Sequence, residues 1–223
     1  MNAESDITVV IPALNAGATI ADTIAALAPS MEVIVVDGGS GDGTRAVAEK
    51  AGARVITASA GRGCQIAAGI ALATRPWLLL LHADTRLQPG WRDACARHMV
   101  TEPRKAGWFQ FTLDSANPQA RRLERMVAWR SSVLGLPYGD QGLLLHSDLL
   151  RMAGGMRPLP LMEDVDLIRR LGRHWLSALP AAALTSAARW ERDGWYRRSL
   201  RNLGCLALWF LGAPPALLVR LYR

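Results

Sequence analysis

With 223 residues, half of them hydrophobic and a fifth charged, the chain is long enough for one well-buried domain and too apolar to be disordered. Its three cysteines, Cys64, Cys95 and Cys205, are too few and too far apart for a disulfide framework or a metal cluster, which points to a reducing compartment. The net charge of +7 lies entirely in residues 111–223, since acids and bases cancel over 1–110; that half suits a phosphorylated ligand or an anionic membrane surface, whereas no helix-turn-helix, zinc-finger or RNA-binding signature supports nucleic acid.

The acidic start, MNAESDITVVIP, has no basic segment ahead of an apolar run, so no export signal is expected. Ile7–Ile11 is a β-branched run that reads as a first strand. Ala18–Ala28 carries apolar residues at helical spacing and is stopped by Pro29. Met31–Val36 is a second strand, Thr44–Ala51 a helix and Arg54–Thr57 a third strand. Gln65–Thr74 is a helix of small residues able to pack close to a sheet. Trp77–Leu81 is a short unbroken apolar run after Pro76, as expected of a strand buried on both faces. This β-α-β-α-β-α-β order predicts an α/β fold with a central, mostly parallel sheet flanked by helices.

Beyond Pro89 the pattern loosens. Trp91–Val100, Pro118–Leu134, Leu149–Ala153, Glu163–Leu171 and Arg192–Phe210 read as helices, Trp108–Leu113 and Gly142–Leu145 as strands. The uncharged run Leu203–Val219 is short for a membrane span and is broken by Pro214-Pro215. It reads either as a docking helix over the core or as a membrane-surface element flanked by Arg197, Arg198, Arg201 and Arg220.

Five stretches carry chemistry, and each has a plainer alternative. Asp37 ends the second strand before Gly38-Gly39-Ser40-Gly41-Asp42-Gly43-Thr44, where it can bind a nucleoside or simply close an Asx-type turn. Gly61-Arg62-Gly63 precedes a helix, so its N–H groups and Arg62 suit a diphosphate, or form a surface loop. His82 and Asp84 follow the central strand two residues apart and point the same way, a plausible divalent-metal pair; Asp84 can equally cap the next loop. Glu163, Asp164 and Asp166 open a helix whose dipole they suit, and they cannot all face one way; one of them can serve as a general base. Arg189 can offset charge on a leaving diphosphate or pack on Trp190. The glycine signatures of dinucleotide-binding and P-loop enzymes are missing.

Taken in order, Val10-Ile11-Pro12-Ala13-Leu14-Asn15, Val36–Thr44, Leu81-His82-Ala83-Asp84-Thr85 and Met162-Glu163-Asp164-Val165-Asp166-Leu167 make the chain resemble the family 2 glycosyltransferases, enzymes of the GT-A fold. It resembles most closely their bacterial subgroup called radical-SAM/selenodomain-associated transferase 2. That subgroup's wording stands here as Ala60-Gly61-Arg62-Gly63-x-Gln65, His82–Thr85, Tyr138-Gly139-Asp140-Gln141-Gly142, Pro160–Asp164 and Ser186-Ala187-Ala188-Arg189-Trp190. The resemblance implies a single GT-A-type domain: a nucleotide-sugar half to about residue 115, an acceptor and catalytic half to about 190, and an apolar helical tail. It implies transfer, with inversion, from a nucleotide diphosphate sugar, UDP-linked by preference, to a hydroxyl acceptor. Pro12, Ala13, Asn15 and Asp37 would hold the nucleoside, with Arg62 and Gln65 by the phosphates. Asp84, with His82, would ligand Mg²⁺ or Mn²⁺. Asp164 would be the base with Glu163 as its neighbour, and Arg189 would assist the leaving nucleotide. Gly139, Asp140 and Gln141 would line the acceptor side. The usual pair of metal-site carboxylates is reduced here to His82-x-Asp84, which keeps open a catalytically silent nucleotide-sugar-binding protein. A nucleotidyltransferase would need a glycine- and arginine-bearing loop after the first strand, and Pro12–Gly17 is not one. The expected compartment is the cytoplasm, and the basic apolar tail suggests the inner membrane face and a lipid or membrane-proximal acceptor.

Overall fold

A computed structural model describes residues 3–27 and 29–222. Ala28, at the end of the predicted first helix, and Arg223 lie outside the described residues. The first half follows the expected order: β1 (Ile7–Ala13), α1 (Ile20–Ala25), β2 (Glu32–Asp37), α2 (Thr44–Lys50), β3 (Arg54–Thr57), α3 (Arg62–Ile70) and β4 (Trp77–Leu80). These four strands are parallel, with β1 between β2 and β4. Alternate residues feed two cores. Val9, Ile11, Val35 and Leu79 lie on one face, and Val10, Ile34, Val36 and Leu78 on the other. Burial on both faces is why β1, β2 and β4 are mostly apolar rather than alternating, whereas the edge strand β3 keeps Arg54 and Thr57 exposed. Pro12 is tolerated inside β1 because β4 ends at Leu80, opposite Val10, leaving Pro12 with β2 as its only ladder neighbour.

The second half departs from a uniformly parallel sheet. It comprises β5 (Thr85–Leu87), α4 (Trp91–Thr101), β6 (Ala106–Leu113), α5 (Pro118–Val133), β7 (Leu143–His146), α6 (Ser147–Met152), α7 (Glu163–Leu171) and β8 (Leu176–Thr185), then α8 (Ala188–Asp193), α9 (Trp195–Phe210) and α10 (Pro215–Tyr222). The eight strands form one sheet in the order β3-β2-β1-β4-β7-β6-β8-β5. β7 runs antiparallel to β4, with Leu143 opposite Leu80. That reversal sets the turn before β7, Tyr138–Gln141, beside the carboxyl end of β4, where His82 and Asp84 emerge. β5 runs antiparallel to β8, with Thr85 opposite Thr185, and brings the residues after β8 to Asp84.

β5 and β8 were not predicted. β8 reads Leu-Ser-Ala-Leu-Pro-Ala-Ala-Ala-Leu-Thr, and alanine and proline are poor strand formers. It is held as a strand by alternate burial of Leu179, Ala181, Ala183 and Thr185. Its proline falls in the register shift against β6, where no ladder hydrogen is needed. The predicted final helix, Arg192–Phe210, is broken by Gly194 at φ 85° into the end of α8 and α9, and α10 follows beyond it after Gly212–Pro214. No helix among the described residues is long and apolar enough to cross a membrane.

Small residues let α3 lie close on the sheet. A Cβ at Gly69 would sit 2.5 Å from Val10 Cγ1 and 2.9 Å from Val36 Cγ2. Gly69→Ala should therefore lower stability by about 1–3 kcal/mol in urea unfolding, despite alanine's better helix propensity. An unchanged or raised midpoint would mean that α3 can shift off the sheet freely.

Candidate functional site

The carboxyl ends of the parallel strands carry two neighbouring groups of predicted residues. The first joins the loops after β1 and β2. Asn15, in the left-handed region at φ 51°, donates its N–H to Ser40 Oγ and accepts from Gly41 N–H. Gly17 N–H donates to Asp42 Oδ2 at 2.9 Å. Hydrogen bonds from Thr44 and Gly17 hold the Asp42 carboxyl below its usual range. Asp37 is buried and closes the Asx-type turn, accepting from Gly39 N–H at 3.0 Å and Ser40 N–H at 3.1 Å. Gln65, expected beside phosphates, is 2% exposed, and its Nε2 donates to the carbonyls of Ala13 (2.7 Å) and Val36 (2.8 Å). Its amide clamps the ends of β1 and β2 and has no hydrogen left for a phosphate.

The second group is a cleft lined by Pro12, His82, Tyr138, Gly139, Glu163 and Asp164. Asp164 Oδ2 accepts from Gly139 N–H at 2.7 Å and Oδ1 from Val165 N–H at 2.8 Å. Burial alone would raise its pKa; the Arg62 charge and the Gly139 hydrogen bond outweigh burial and lower it. Glu163 is fully buried, with Oε1 2.8 Å from Arg62 Nε. Both of its oxygens lack an aligned hydrogen bond, so the contact with Arg62 is one of charge. Burial pushes the Glu163 carboxyl up to about 7 against the pull of Arg62. Burial works against the charge of Arg62 as well, and Glu163 and Asp164 more than offset it, raising its pKa. Asp166 points elsewhere, to Arg157 (2.9 Å) and Arg170 (2.8 Å), so the three acids do divide between faces.

Arg62 opens α3 rather than preceding it. The amide of Gly63, expected free for a diphosphate, donates to Leu159 O at 3.1 Å. Burial and the Arg62 charge push His82 down to about 4, so its imidazole is neutral near pH 7 and keeps a lone pair. The Asp84 side chain is 19% exposed and has Arg189 Nη2 at 3.8 Å, while Trp190 packs on Phe111 instead of on that arginine. Asp140 is half-buried, with burial raising its pKa and a buried Oδ1 that lacks a partner. Gln141 does not reach the cleft: fully buried, it accepts from Ser131 Oγ at 2.8 Å and donates to Phe109 O at 3.1 Å, tying α5 to β6.

Two contributors were not predicted. Tyr138 lines the cleft with a buried hydroxyl, its ring 4.0 Å from the Arg130 guanidinium. Met162, just before α7, takes the left-handed conformation at φ 63°, which few non-glycine residues adopt and which aims Glu163 and Asp164. Adjacency to Gly139 could have flagged Tyr138, but nothing local marks Met162 as strained.

No group of three or more histidine, cysteine or acidic side chains among the described residues could hold a metal alone. His82 and Asp84 supply one neutral nitrogen and one carboxylate. Such a pair fits a cation whose remaining positions are filled by phosphate oxygens or water.

The chain belongs to glycosyl transferase family 2, whose sequence model matches residues 8–155. Uncharacterized glycosyltransferases of Mycobacterium tuberculosis and Mycobacterium bovis are 34% identical to it over 85 residues, 38% of this chain; the match spans 39% of those relatives. Among solved structures, the 1–349 fragment of S. aureus TarS in complex with UDP has a TM-score of 0.64 at 17% identity, over 81% of this chain and 60% of that one. Glucosyl-3-phosphoglycerate synthase from Mycobacterium tuberculosis, in complex with Mn²⁺, UDP and glucosyl-3-phosphoglycerate, has a TM-score of 0.59 at 21% identity, over 93% of this chain and 80% of that one. At these identities the likeness is one of fold, and it is the GT-A arrangement that the sequence resembles.

The raised Glu163 pKa has a consequence for stability. The folded chain keeps this proton between about 4.5 and 7, where the unfolded chain has lost it, so Glu163 makes stability fall as pH rises through that window. His82, depressed from 6.5 to about 4, acts oppositely, because unfolding takes up a proton there. The two slopes largely cancel in the parent. Glu163→Gln should remove one of them and gain stability relative to the parent as pH rises from 4.5 to 7, by up to about 3 kcal/mol. Denaturant melts at pH 4.5, 5.5 and 7 test this; parallel curves for both proteins would mean that Glu163 titrates normally.

Proposed function

We propose that the protein is an inverting glycosyltransferase that moves a sugar from a nucleotide diphosphate donor, UDP-linked by preference, to a hydroxyl acceptor. The carrying observation is the ionised Asp164, clamped by Gly139 N–H in a cleft shared with His82 and bordered by Arg62. Each of its oxygens accepts one N–H and keeps a second lone pair, so the carboxylate can still take a proton. In the proposed reaction Asp164 accepts the proton of the acceptor hydroxyl. The acceptor oxygen then bonds to the anomeric carbon as the carbon–oxygen bond to the diphosphate breaks on the opposite face, and the configuration inverts.

In this reading Pro12, Ala13, Asn15 and Asp37 form the nucleoside side, built on the interlocked loops after β1 and β2. Gln65 acts beneath them as the clamp that fixes their spacing. Arg62 and Arg189 offset charge on the diphosphate, and Gly139, with Asp140 behind it, borders the acceptor. His82 and Asp84 would hold Mg²⁺ or Mn²⁺, which, when bound, offsets charge on the leaving phosphates. The UDP complexes of structures with the same fold, one of them with Mn²⁺, support that choice of nucleotide and cation. The motif wording from Ala60 to Trp190 favours the radical-SAM/selenodomain-associated subgroup.

Calorimetric titration with UDP-, GDP- and dTDP-sugars should find one donor that binds in the micromolar range with Mn²⁺ and weakens with EDTA. An imidazole ligand favours Mn²⁺ over Mg²⁺. Asp164→Asn should lower nucleotide release in the presence of acceptor by a factor of about 10²–10⁴ and leave donor Kd within a few-fold. Unchanged turnover would remove Asp164 from the role of base. Donor binding with no turnover in the parent, across a broad set of acceptors, would favour a silent nucleotide-sugar-binding protein.

A further inference from the structure

The tail is divided lengthwise. Its inner side docks on the core: Cys205 of α9 and Leu218 of α10 are buried against Leu161, Met162 and Val165. Its outer side stays open. Tyr196, Leu200 and Leu203 of α9 and Leu211 just past its end follow one another at spacings of four, three and eight and are 62%, 68%, 61% and 83% exposed. A second stripe lies on α5, where Met126, Trp129 and Val133 recur at helical spacing and are also exposed. The two stripes meet where Arg122, one turn before Met126, donates to Tyr196 Oη at 3.3 Å.

The helices that carry these stripes are basic on their outer sides, and the nearby exposed acid, Glu191 of α8, is bonded to Ser115. No aspartate or glutamate occurs in 194–222, whereas Arg197 and Arg220 are exposed there. On α5, Arg122 and Arg125 are exposed; Glu124, the only acid in that helix, is turned inward to Leu113 N–H and Arg121. Exposed leucine, tryptophan and tyrosine bordered by arginine, on helices that themselves turn no acid outward, suit an interface of acyl chains beneath anionic headgroups. A second copy of the chain would bring the same arginines face to face across an isologous contact.

We propose that the outer faces of α5 and α9 form a peripheral docking surface for an anionic phospholipid bilayer. The surface does not depend on the transferase reading, because it lies on the outer side of these helices and its test needs no donor.

The full chain should co-sediment with vesicles of phosphatidylglycerol and phosphatidylcholine, bind pure phosphatidylcholine vesicles at least tenfold more weakly, and lose binding as salt is raised. Leu200→Ser and Leu203→Ser should each weaken partitioning about tenfold. Unchanged melting temperatures would show that the variants are folded. No binding to either vesicle, or equal binding to both without salt dependence, would overturn the proposal. So would a dimer in light scattering that Leu200→Ser dissolves, which would assign the surface to a second copy.

Discussion

The closest approach in the site sets its geometry. A Cβ on residue 139 would lie 2.6 Å from His82 Nε2 and 3.1 Å from Asp164 Oδ2, so only glycine lets the turn before β7 pass between the end of β4 and the start of α7. The absence of that one carbon brings a backbone N–H onto the Asp164 carboxylate and holds the imidazole on the other side of the same residue. Antiparallel β7 is what delivers the turn there, through the pairing of Leu143 with Leu80. A uniformly parallel continuation would have carried this turn to the opposite end of the sheet.

Around that contact lies a charge cluster that folding alone would not select. Buried ions lose hydration, and their attraction often does no more than offset the loss. Arg62 faces Glu163 and Asp164 together, and Asp140 stands nearby with an unpartnered oxygen. The competition drives the two adjacent acids apart: Glu163, with no N–H partner, is raised, and Asp164, with two, is lowered. Neighbouring carboxyls whose environments separate their pKa values can hold one proton and one negative charge near neutrality, a condition suited to acid–base work.

How much of this was legible in the sequence depended on whether a residue's surroundings were local. Strands β1, β2 and β4 were readable because burial on both faces makes them mostly apolar, the edge strand β3 by its short β-branched run, and prolines or glycine-rich turns mark several of their ends. β8 was not readable, since its alanines become strand-like only between β5 and β6. That Glu163, Asp164 and Asp166 divide between faces was readable from helix geometry, whereas the choice of Asp164 with Glu163 beside it rested on the family resemblance. Gln65 and Gln141 were misplaced for a physical reason: a carboxamide that binds a ligand and one that ties two carbonyls have the same composition and spacing. Asp37 shows the same ambiguity, because an acid at a strand end closes its own turn through the N–H groups of Gly39 and Ser40.

The tail docks one side on the core, as the docking-helix reading expected, and leaves its other side exposed. The inner side matters to the site because of Met162. A non-glycine residue in the left-handed region costs on the order of 1–3 kcal/mol and persists where its surroundings over-determine it. Here those surroundings are Cys205 and Leu218 of the tail, in the same buried cluster as Met162 and Val165, with Tyr138 against its edge. The strained residue immediately precedes Glu163 and Asp164, so the tail helps fix the direction in which the acids point. Arg169 of α7 adds a second tie, its guanidinium 4.9 Å from the Phe210 ring at the end of α9. The helix that turns an apolar face outward thus braces, through its other face, the segment that aims the carboxylates.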